Sequence, residues 1–262
     1  MIKDAKLAIL ICTFLRDDKM AKCINSILEN CKVSYKIYLS DSGIQTKEKD
    51  ILYNRLKSQG HKVLLVPFDF PPQVARNHLI SKMTEAYVLK IDDDFLIDED
   101  TKISEMVELM DKNMEIDLLG MCVKSPDFIS KYIFDISINE MNNDWLMDNH
   151  GSWTIHTHES GLKYHFCDLT PDCFIARREI FPDCNWDENY HVGEGMHADF
   201  FFQIKFSTNY KVAYCPNSIM KHQKHCSEQD SLVYRHMRHR KAGNEIKLRR
   251  KWNIATLNRR SV

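Results

Sequence analysis

The chain has 262 residues, with 36 Lys and Arg against 37 Asp and Glu and with only eight Gly. An apolar fraction of 44% with 28% charged residues is typical of a folded globular protein and excludes a disordered or fibrous one. Because the formal net charge is −1, no overall attraction to nucleic acid is expected, and nucleic acid is not a predicted partner. Gly makes up about 3% of the chain, under half of its ordinary usage, so a glycine-rich phosphate loop is not expected.

The sequence contains few of the motifs that mark glycine-rich nucleotide sites, cysteine-based metal sites or membrane spans. No G-x-x-x-x-G-K-[ST] motif occurs, and the single match to the dinucleotide pattern, at Gly193, follows polar residues rather than an apolar strand. The nine Cys include no C-x-x-C pair, which is typical of reduced thiols in a cytosolic protein. The apolar run over residues 7–12 is too short to span a bilayer, which takes about 20 residues. We therefore expect a cytoplasmic protein without a transmembrane anchor.

Short apolar strands alternate with amphipathic helices in the first hundred residues. Residues 7–12 are branched and apolar throughout, as expected of a strand buried on both faces of a parallel sheet. Asp17 and Asp18 then favour a helix N-terminus, and apolar residues follow at helical spacing. The same alternation predicts strands over 35–39, 63–66 and 86–91 and helices over 47–56, 74–83 and 98–112. The predicted fold is an open α/β sheet flanked by helices.

The second half of the chain has a different pattern. Residues 116–182 contain short apolar pieces between polar and aromatic segments, so this region is predicted to be rich in loops that select a substrate. Residues 235–260 contain ten Lys and Arg but one acidic residue, Glu245. We expect residues 231–262 to form a basic helical tail. This tail is either a solvated helix without a binding role, or it contacts the diphosphate of a ligand or anionic lipid. No linker separates the halves, so residues 1–230 are predicted to form one domain.

Three successive carboxylates follow the predicted strand over residues 86–91. If the chain stays extended, Asp92 and Asp94 lie on one side, at the sheet edge where open α/β proteins bind ligands. A divalent cation relieves the repulsion between such carboxylates, and oxygen ligands suit magnesium or manganese that also binds phosphate. The alternative interpretation is a polar turn before the next helix, for which Asp98 and Asp100 are the expected caps.

In the first half, four motifs in order resemble the family-2-type glycosyltransferases of the GT-A fold. These motifs are Thr13-Phe-Leu-Arg16, Ser40-Asp-Ser-Gly43, Val74-Ala-Arg-Asn77 and Asp92-x-Asp94. The resemblance implies a Rossmann-like open mixed sheet, with a nucleotide-sugar half over residues 1–100 and an acceptor half over residues 101–230. It also implies that Asp41 receives the uracil N–H. The residues implied to contact the donor nucleotide are Thr13, Leu15, Arg16, Asp41, Arg76, Asp92 and Asp93.

The later half resembles the β-1,4-N-acetylgalactosaminyltransferases of the ganglioside-synthesising type and their bacterial relatives. The matching motifs are Phe174-Ile-Ala-Arg, Trp186-Asp-Glu-Asn, His197-Ala-Asp-Phe-Phe and Ile219-Met-Lys-His222. By this resemblance, Asp199 is the general base that accepts the proton of the attacking hydroxyl. The usual Glu-Asp motif is altered here, so Glu194 and, with less support, His197 are alternative bases.

The same resemblance implies a metal site formed by Asp92, Asp94 and His222. In it Asp94 and His222 hold manganese or magnesium, Asp92 reaches the ribose or a metal-bound water, and His225 is the substitute for His222. Flat aromatic rings match the C–H face of a pyranose. The aromatic residues that either stack on a sugar or belong to the core are Trp153, Trp186 and Tyr190, with Trp186 the first choice for stacking.

Together these features predict a metal-dependent inverting glycosyltransferase. It moves a sugar, N-acetylgalactosamine or a similar hexose, from a UDP-sugar to a hydroxyl of a glycan acceptor. One alternative is a sugar-1-phosphate nucleotidyltransferase, although the turn after the first strand lacks the Gly residues typical of that class. A second alternative is a non-catalytic protein of the same fold that binds glycan or nucleotide. The basic tail is expected to give peripheral contact with anionic lipid at the inner face of the membrane.

Overall fold

The computed structural model describes residues 4–130, 132–149, 151–190, 194–223, 233–234, 236–237 and 243–261, with only the backbone of Glu194, Arg260 and Ser261. The main sheet and its flanking helices begin with β1 (Leu7–Thr13), α1 (Asp17–Asn30), β2 (Tyr35–Asp41), α2 (Lys47–Ser58), β3 (Lys62–Leu65), α3 (Pro72–Ile80), β4 (Tyr87–Lys90), β5 (Phe95–Leu96), α4 (Ile103–Lys112) and β6 (Leu118–Lys124). The later elements are β7 (Asp135–Asn139), β8 (Asp144–Asn149), β9 (His156–Thr157), β10 (Lys163–Cys167), β11 (Phe174–Arg177), α5 (Glu194–Ser207), β12 (Val212–His222), α6 (Asn244–Lys251) and β13 (Thr256–Ser261).

The strands form one large mixed sheet and one small sheet. The large sheet has the order β3-β2-β1-β4-β11-β6-β12-β10-β9, and β5 pairs with β12. The first four strands are parallel, whereas β11 runs antiparallel to both β4 and β6. Because β11 lies between β4 and β6, strands from both halves of the sequence share one sheet. The small sheet has the order β13-β8-β7.

Strand β1 lies at the centre of the parallel part and is buried on both faces. Leu7, Ile9 and Ile11 face one hydrophobic core, whereas Ala8 and Leu10 face the other. This alternation is the period of two of a β-strand, and both faces are apolar because helices cover both sides of the sheet. The prediction of an open α/β sheet flanked by helices is confirmed.

Three local predictions differ from the structure. Helix α4 begins at Ile103, and Asp98 and Asp100 lie in the preceding turn, where Asp98 accepts a hydrogen bond from Asp100 N. Those two carboxylates are therefore not its caps. The region 116–182 is less rich in loops than expected, since it also contains β7 to β10. Strand β7 has two apolar residues among five and β8 has three among six, so neither stands out as an apolar strand in the sequence.

The basic C-terminal segment is also not helical throughout. Its described residues contain helix α6 and strand β13, which pairs in parallel with β8 from Thr256↔Asp144 to Ser261↔Asn149. Trp252, just after α6, packs against Trp145 and Phe202. Apolar and aromatic side chains thus attach this segment to the body of the protein. Among the described helices, none has the length and apolar character needed to cross a bilayer.

The buried His61 is expected to make stability pH-dependent. Its Nδ1 accepts a hydrogen bond from Ile37 N at 3.2 Å, and burial, assisted by Lys36, lowers its pKa to about 4. The pKa in the unfolded chain is about 6.5, so His61 stabilises the fold above pH 6.5 and this contribution is lost as the pH falls towards 4. Between pH 7.5 and 5, urea unfolding should show the wild type losing about 2 kcal/mol more than His61→Phe. Parallel curves would contradict this assignment.

Candidate active site

The candidate active site lies where β1 and β4 end at the same edge of the sheet. After β4 the chain leaves the extended conformation, and Phe95 N donates to Asp92 O at 3.3 Å to close a turn. The next residues form β5, in which Phe95 pairs with His222 at the end of β12. This topology brings the three carboxylates and His222 together, although 128 residues separate Asp94 from His222. Because the chain turns here, however, Asp92 and Asp94 do not share one side as expected for an extended segment.

Asp94 contacts both an arginine and a histidine. Its Oδ2 accepts a hydrogen bond from Arg16 Nη1 at 2.5 Å and lies 3.2 Å from His222 Nε2. The other ring nitrogen of His222 is 3.0 Å from Ser125 Oγ, which orients the ring towards Asp94. Burial of Asp94 would raise its pKa, but Arg16 and His222 lower the pKa below its usual range. Asp94 is therefore an ionised carboxylate beside an oriented imidazole.

Asp93 faces the interior. It accepts a hydrogen bond from Thr13 Oγ1 at 2.6 Å, and Arg16 forms an ion pair with its other oxygen. Burial raises the pKa of Asp93 to about 6, although Arg16 opposes this shift. Burial alone would lower the pKa of Arg16, but the two carboxylates raise it above its ordinary value, and the guanidinium lies 4.4 Å from the ring centre of Tyr234. Thr13 and Arg16 thus hold the carboxylate turn to the end of β1.

Asp92 belongs to a second group of charges. Its Oδ1 accepts a hydrogen bond from Lys90 Nζ at 2.9 Å and lies 3.4 Å from Arg76 Nη2. Lys90 is fully buried and also contacts Asp172 Oδ2 at 2.5 Å. Asp172 Oδ1 is 3.3 Å from Nδ1 of His197, whose Nε2 lies 2.8 Å from the carbonyl oxygen of Thr170. With both ring nitrogens engaged, His197 is poorly arranged to act as a base.

Two of the residues predicted to bind the nucleotide have local structural roles. Asp41 is fully buried, and its oxygens accept hydrogen bonds from Gly43 N at 2.8 Å and Tyr53 OH at 2.8 Å. Gln45 and Lys49 contact the same carboxylate, so no edge of Asp41 is open for a uracil N–H in this conformation. Leu15 has a φ of 52°, a left-handed conformation that costs a non-glycine residue about 1 kcal/mol or more. The contacts around Leu15 must therefore hold the turn between β1 and α1 in this conformation.

Asp199 is buried beneath the C-terminal segment. Trp252 Nε1 donates to Asp199 Oδ1 at 2.7 Å, and Lys251 Nζ and Gln203 Nε2 each lie 2.9 Å from Oδ2. Tyr190 OH is a further neighbour at 3.5 Å. Both oxygens of Asp199 are therefore engaged by donors, which connect α5 to the end of α6. No contact between Asp199 and the carboxylate turn is present among the described residues.

The remaining predicted residues are placed as follows. Trp186 and Tyr190 are buried in the hydrophobic core, so their stacking on a sugar is not supported; Trp186 packs flat against Phe200 at 4.8 Å. Trp153 is half-buried and donates from Nε1 to Asp135 at 3.0 Å. Glu194 begins α5, but its side chain lies outside the described part of the structure, as does all of His225.

Sequence analysis missed Lys90 and Asp172. The signal for Lys90 was a charged residue within the apolar strand Tyr87–Lys90, because a buried ammonium requires a carboxylate partner. Asp172 stands two residues before β11, and β11 pairs with β4 so that Phe174 faces Lys90. That pairing is not visible in a single sequence, so nothing pointed to Asp172.

Comparison with known structures supports the fold defined by this sheet. S. aureus TarS in complex with UDP-GlcNAc matches with a TM-score of 0.61 and 14% identity, covering 86% of this chain and 60% of that chain. A second S. aureus TarS structure matches with a TM-score of 0.57 and 12% identity, covering 88% of this chain and 64% of that chain. The chain therefore has the GT-A glycosyltransferase fold.

A sequence comparison shows the family. The glycosyltransferase family 2 profile matches residues 8–184, which is more than half of the chain, so the chain belongs to this family. β-1,4 N-acetylgalactosaminyltransferase 2 of Mus musculus is 29% identical over 161 residues. This alignment covers 60% of this chain and 29% of the mouse protein. The chain thus spans less than a third of the length of that curated relative.

Proposed function

We propose that the protein is a metal-dependent inverting glycosyltransferase that moves a sugar from a UDP-sugar to a hydroxyl of a glycan acceptor. The observation that carries the proposal is the paired charges at the edge of the sheet, with Asp94 beside His222 and Asp92 beside Lys90 and Arg76. The family membership supports it, as do a relative named for N-acetylgalactosamine transfer and a structural neighbour bound to UDP-GlcNAc. N-acetylgalactosamine or a similar hexose is the proposed sugar.

The residues at Asp94 fit a divalent cation. A carboxylate oxygen and an imidazole nitrogen lie together, and Ser125 fixes the ring of His222. We propose that Asp94 and His222 are ligands from the protein and that phosphate or water would supply others; within the described ranges no cluster of three such metal-binding side chains occurs. Manganese or magnesium would stabilise the growing charge of the UDP leaving group. Arg16 holds the same Asp94 oxygen, so a bound cation and Arg16 compete for it.

Arg76 is proposed to bind the diphosphate from the other side, with the positive charge of Lys90 beneath it. Both are buried, and Arg76 Nη1 has no hydrogen-bond partner among the described residues. Positive charge held close to the diphosphate stabilises the leaving group without reorganisation at the moment of reaction. Asp92, whose side chain is 35% exposed, is proposed to contact the ribose or a metal-bound water.

Inversion requires a direct displacement at the anomeric carbon. The acceptor oxygen forms a bond to that carbon, the bond to the diphosphate oxygen breaks, and its electron pair leaves with UDP. A carboxylate must accept the hydroxyl proton as the attack proceeds. We propose that this base lies on α5, as Asp199 or Glu194. Asp199 is engaged by Lys251 and Trp252, so its use as a base requires Lys251 to move away.

The proposal predicts UDP release from a UDP-sugar. Wild-type protein with manganese and glycan oligosaccharides should release UDP from at least one of UDP-N-acetylgalactosamine, UDP-N-acetylglucosamine, UDP-galactose and UDP-glucose. EDTA should lower the rate at least about tenfold, and NMR of the first product should show an inverted anomeric centre. Pyrophosphate release from UTP and a sugar 1-phosphate, or UDP binding without turnover, would instead support the alternative functions.

Peripheral contact with anionic lipid through residues 231–262 stays a prediction. Lys251 of this segment is used within the protein, where it pairs with Asp187 at 2.9 Å and with Asp199 at 2.9 Å. Fewer of its positive charges are therefore available to a lipid surface than the sequence indicated.

A further inference from the structure

Asp172 lies beside the proposed diphosphate site, on the strand next to β4. The antiparallel pair β4 and β11 places Phe174 opposite Lys90, so Asp172 and Asp92 occupy equivalent positions two residues beyond the pair. Lys90 Nζ contacts the carboxylates of both residues, at 2.9 Å for Asp92 and 2.5 Å for Asp172. The two carboxylates are therefore neighbours across one ammonium group.

One buried donor at this place lacks a partner. Arg76 Nη1 is buried and makes no hydrogen bond within the described residues, whereas Asp172 Oδ1 lies 3.3 Å from His197 Nδ1. An unsatisfied buried polar group costs about 1–3 kcal/mol, which favours a ligand that satisfies it. A sugar hydroxyl can accept a hydrogen bond from Arg76 and donate one to the Asp172 carboxylate.

The surroundings keep Asp172 ionised. Burial would raise its pKa, but Lys90, His197 and Arg76 lower the pKa well below its usual range. An ionised carboxylate accepts hydrogen bonds only and can receive two neighbouring hydroxyls at once. The side chain is 27% exposed, so a ligand bound at this edge of the sheet can reach it.

The position of Asp172 distinguishes between a general base and a residue that binds the donor sugar. A general base must lie on the face of the sugar opposite the diphosphate, because the acceptor attacks in line with the leaving group. Asp172 instead shares Lys90 with Asp92 and so lies on the side where the diphosphate is proposed to bind. We propose that Asp172, assisted by Arg76, accepts hydrogen bonds from ring hydroxyls of the donor sugar and so determines which UDP-sugar is used. This inference rests on the proposed function.

The test compares a ligand that carries the sugar with one that lacks it. Titration calorimetry of Asp172→Asn should give a UDP affinity within about twofold of wild type, because UDP lacks the donor sugar that Asp172 is proposed to contact. Affinity for UDP-N-acetylgalactosamine or UDP-N-acetylglucosamine, whichever the wild type prefers, should fall about 10- to 100-fold. The preference between these two C4 epimers should shrink as well. Asp168→Asn, a matched change four residues earlier whose carboxylate pairs with Lys205, should alter neither affinity.

Each outcome bears on a different claim. Failure of wild-type protein to bind UDP contradicts the proposed function and this inference with it. If wild type binds the UDP-sugar more tightly than UDP and Asp172→Asn does the same, only the inference is contradicted. Loss of UDP affinity in the variant also contradicts it, since Asp172 would then act on the nucleotide or the fold. UDP-sugars lacking the C3 or C4 hydroxyl give a second measurement, because one of them should weaken wild-type binding but have no further effect in Asp172→Asn.

Discussion

Asp94→Asn is expected to lower the rate of sugar transfer at least about a hundredfold while the protein stays folded. The substitution removes the charge that faces His222 and Arg16 but keeps the shape of the side chain. Without that charge the proposed metal site retains one strong ligand, and the departing diphosphate is poorly stabilised. Steady-state UDP release across manganese concentrations measures the effect, and calorimetry with manganese and UDP should show the metal affinity falling in parallel.

Asp100→Asn is the matched control for this prediction. Asp100 lies in the turn before α4 and is exposed, so its replacement should leave rate and manganese affinity within about twofold of wild type. An Asp94→Asn enzyme that keeps more than a tenth of the wild-type rate, with unchanged dependence on manganese, would contradict the metal assignment.

Asp199→Asn is expected to lower the free energy of unfolding by about 3 kcal/mol, whatever its effect on catalysis. The fully buried carboxylate holds the donors of Trp252, Lys251 and Gln203. An amide has one acceptor oxygen, and its NH2 group would face donors, so the Lys251 ammonium would lose its buried partner. Urea unfolding followed by circular dichroism measures the loss.

Lys251→Met provides the comparison for Asp199. It removes one donor and leaves the Trp252 and Gln203 contacts, so the loss should be smaller, about 1–2 kcal/mol. An Asp199→Asn protein as stable as wild type would show that these contacts contribute little to the free energy of unfolding. The transfer rate of the folded Asp199→Asn protein then tests which residue is the base. A rate about a hundredfold below wild type supports Asp199, whereas a wild-type rate favours Glu194.

Local sequence patterns were sufficient to predict the parallel half of the fold. The alternation of apolar strands and amphipathic helices predicted β1 to β4 within a few residues, because burial on both sheet faces leaves a distinct apolar pattern. The proposed metal pair Asp94 and His222 came from the resemblance, and the structure brings the two side chains to 3.2 Å from each other. Their adjacency depends on β5 pairing with β12, which the sequence does not encode locally.

Other parts of the site depended on long-range pairing and on turns. Asp92 and Asp94 separate because the chain turns between Asp92 and Phe95, whereas the prediction assumed an extended segment. Asp172 reaches Lys90 through the antiparallel strand β11, and Asp199 is covered by residues more than fifty positions later. The acidic residues after Trp186 favoured the prediction that its ring stacks on a sugar, but the ring lies in the core. Such packing cannot be inferred from neighbours in sequence.

The most direct test of this account is the affinity of the wild-type protein for UDP compared with UMP, measured by calorimetry with manganese and again with EDTA. The proposed function places the β-phosphate between the Asp94 and His222 pair and the Lys90 and Arg76 pair. UMP lacks this phosphate. This placement predicts that UDP binds at least about tenfold more tightly than UMP with manganese, and that EDTA removes most of this advantage. Equal affinities for the two nucleotides, or no binding of either, would contradict it.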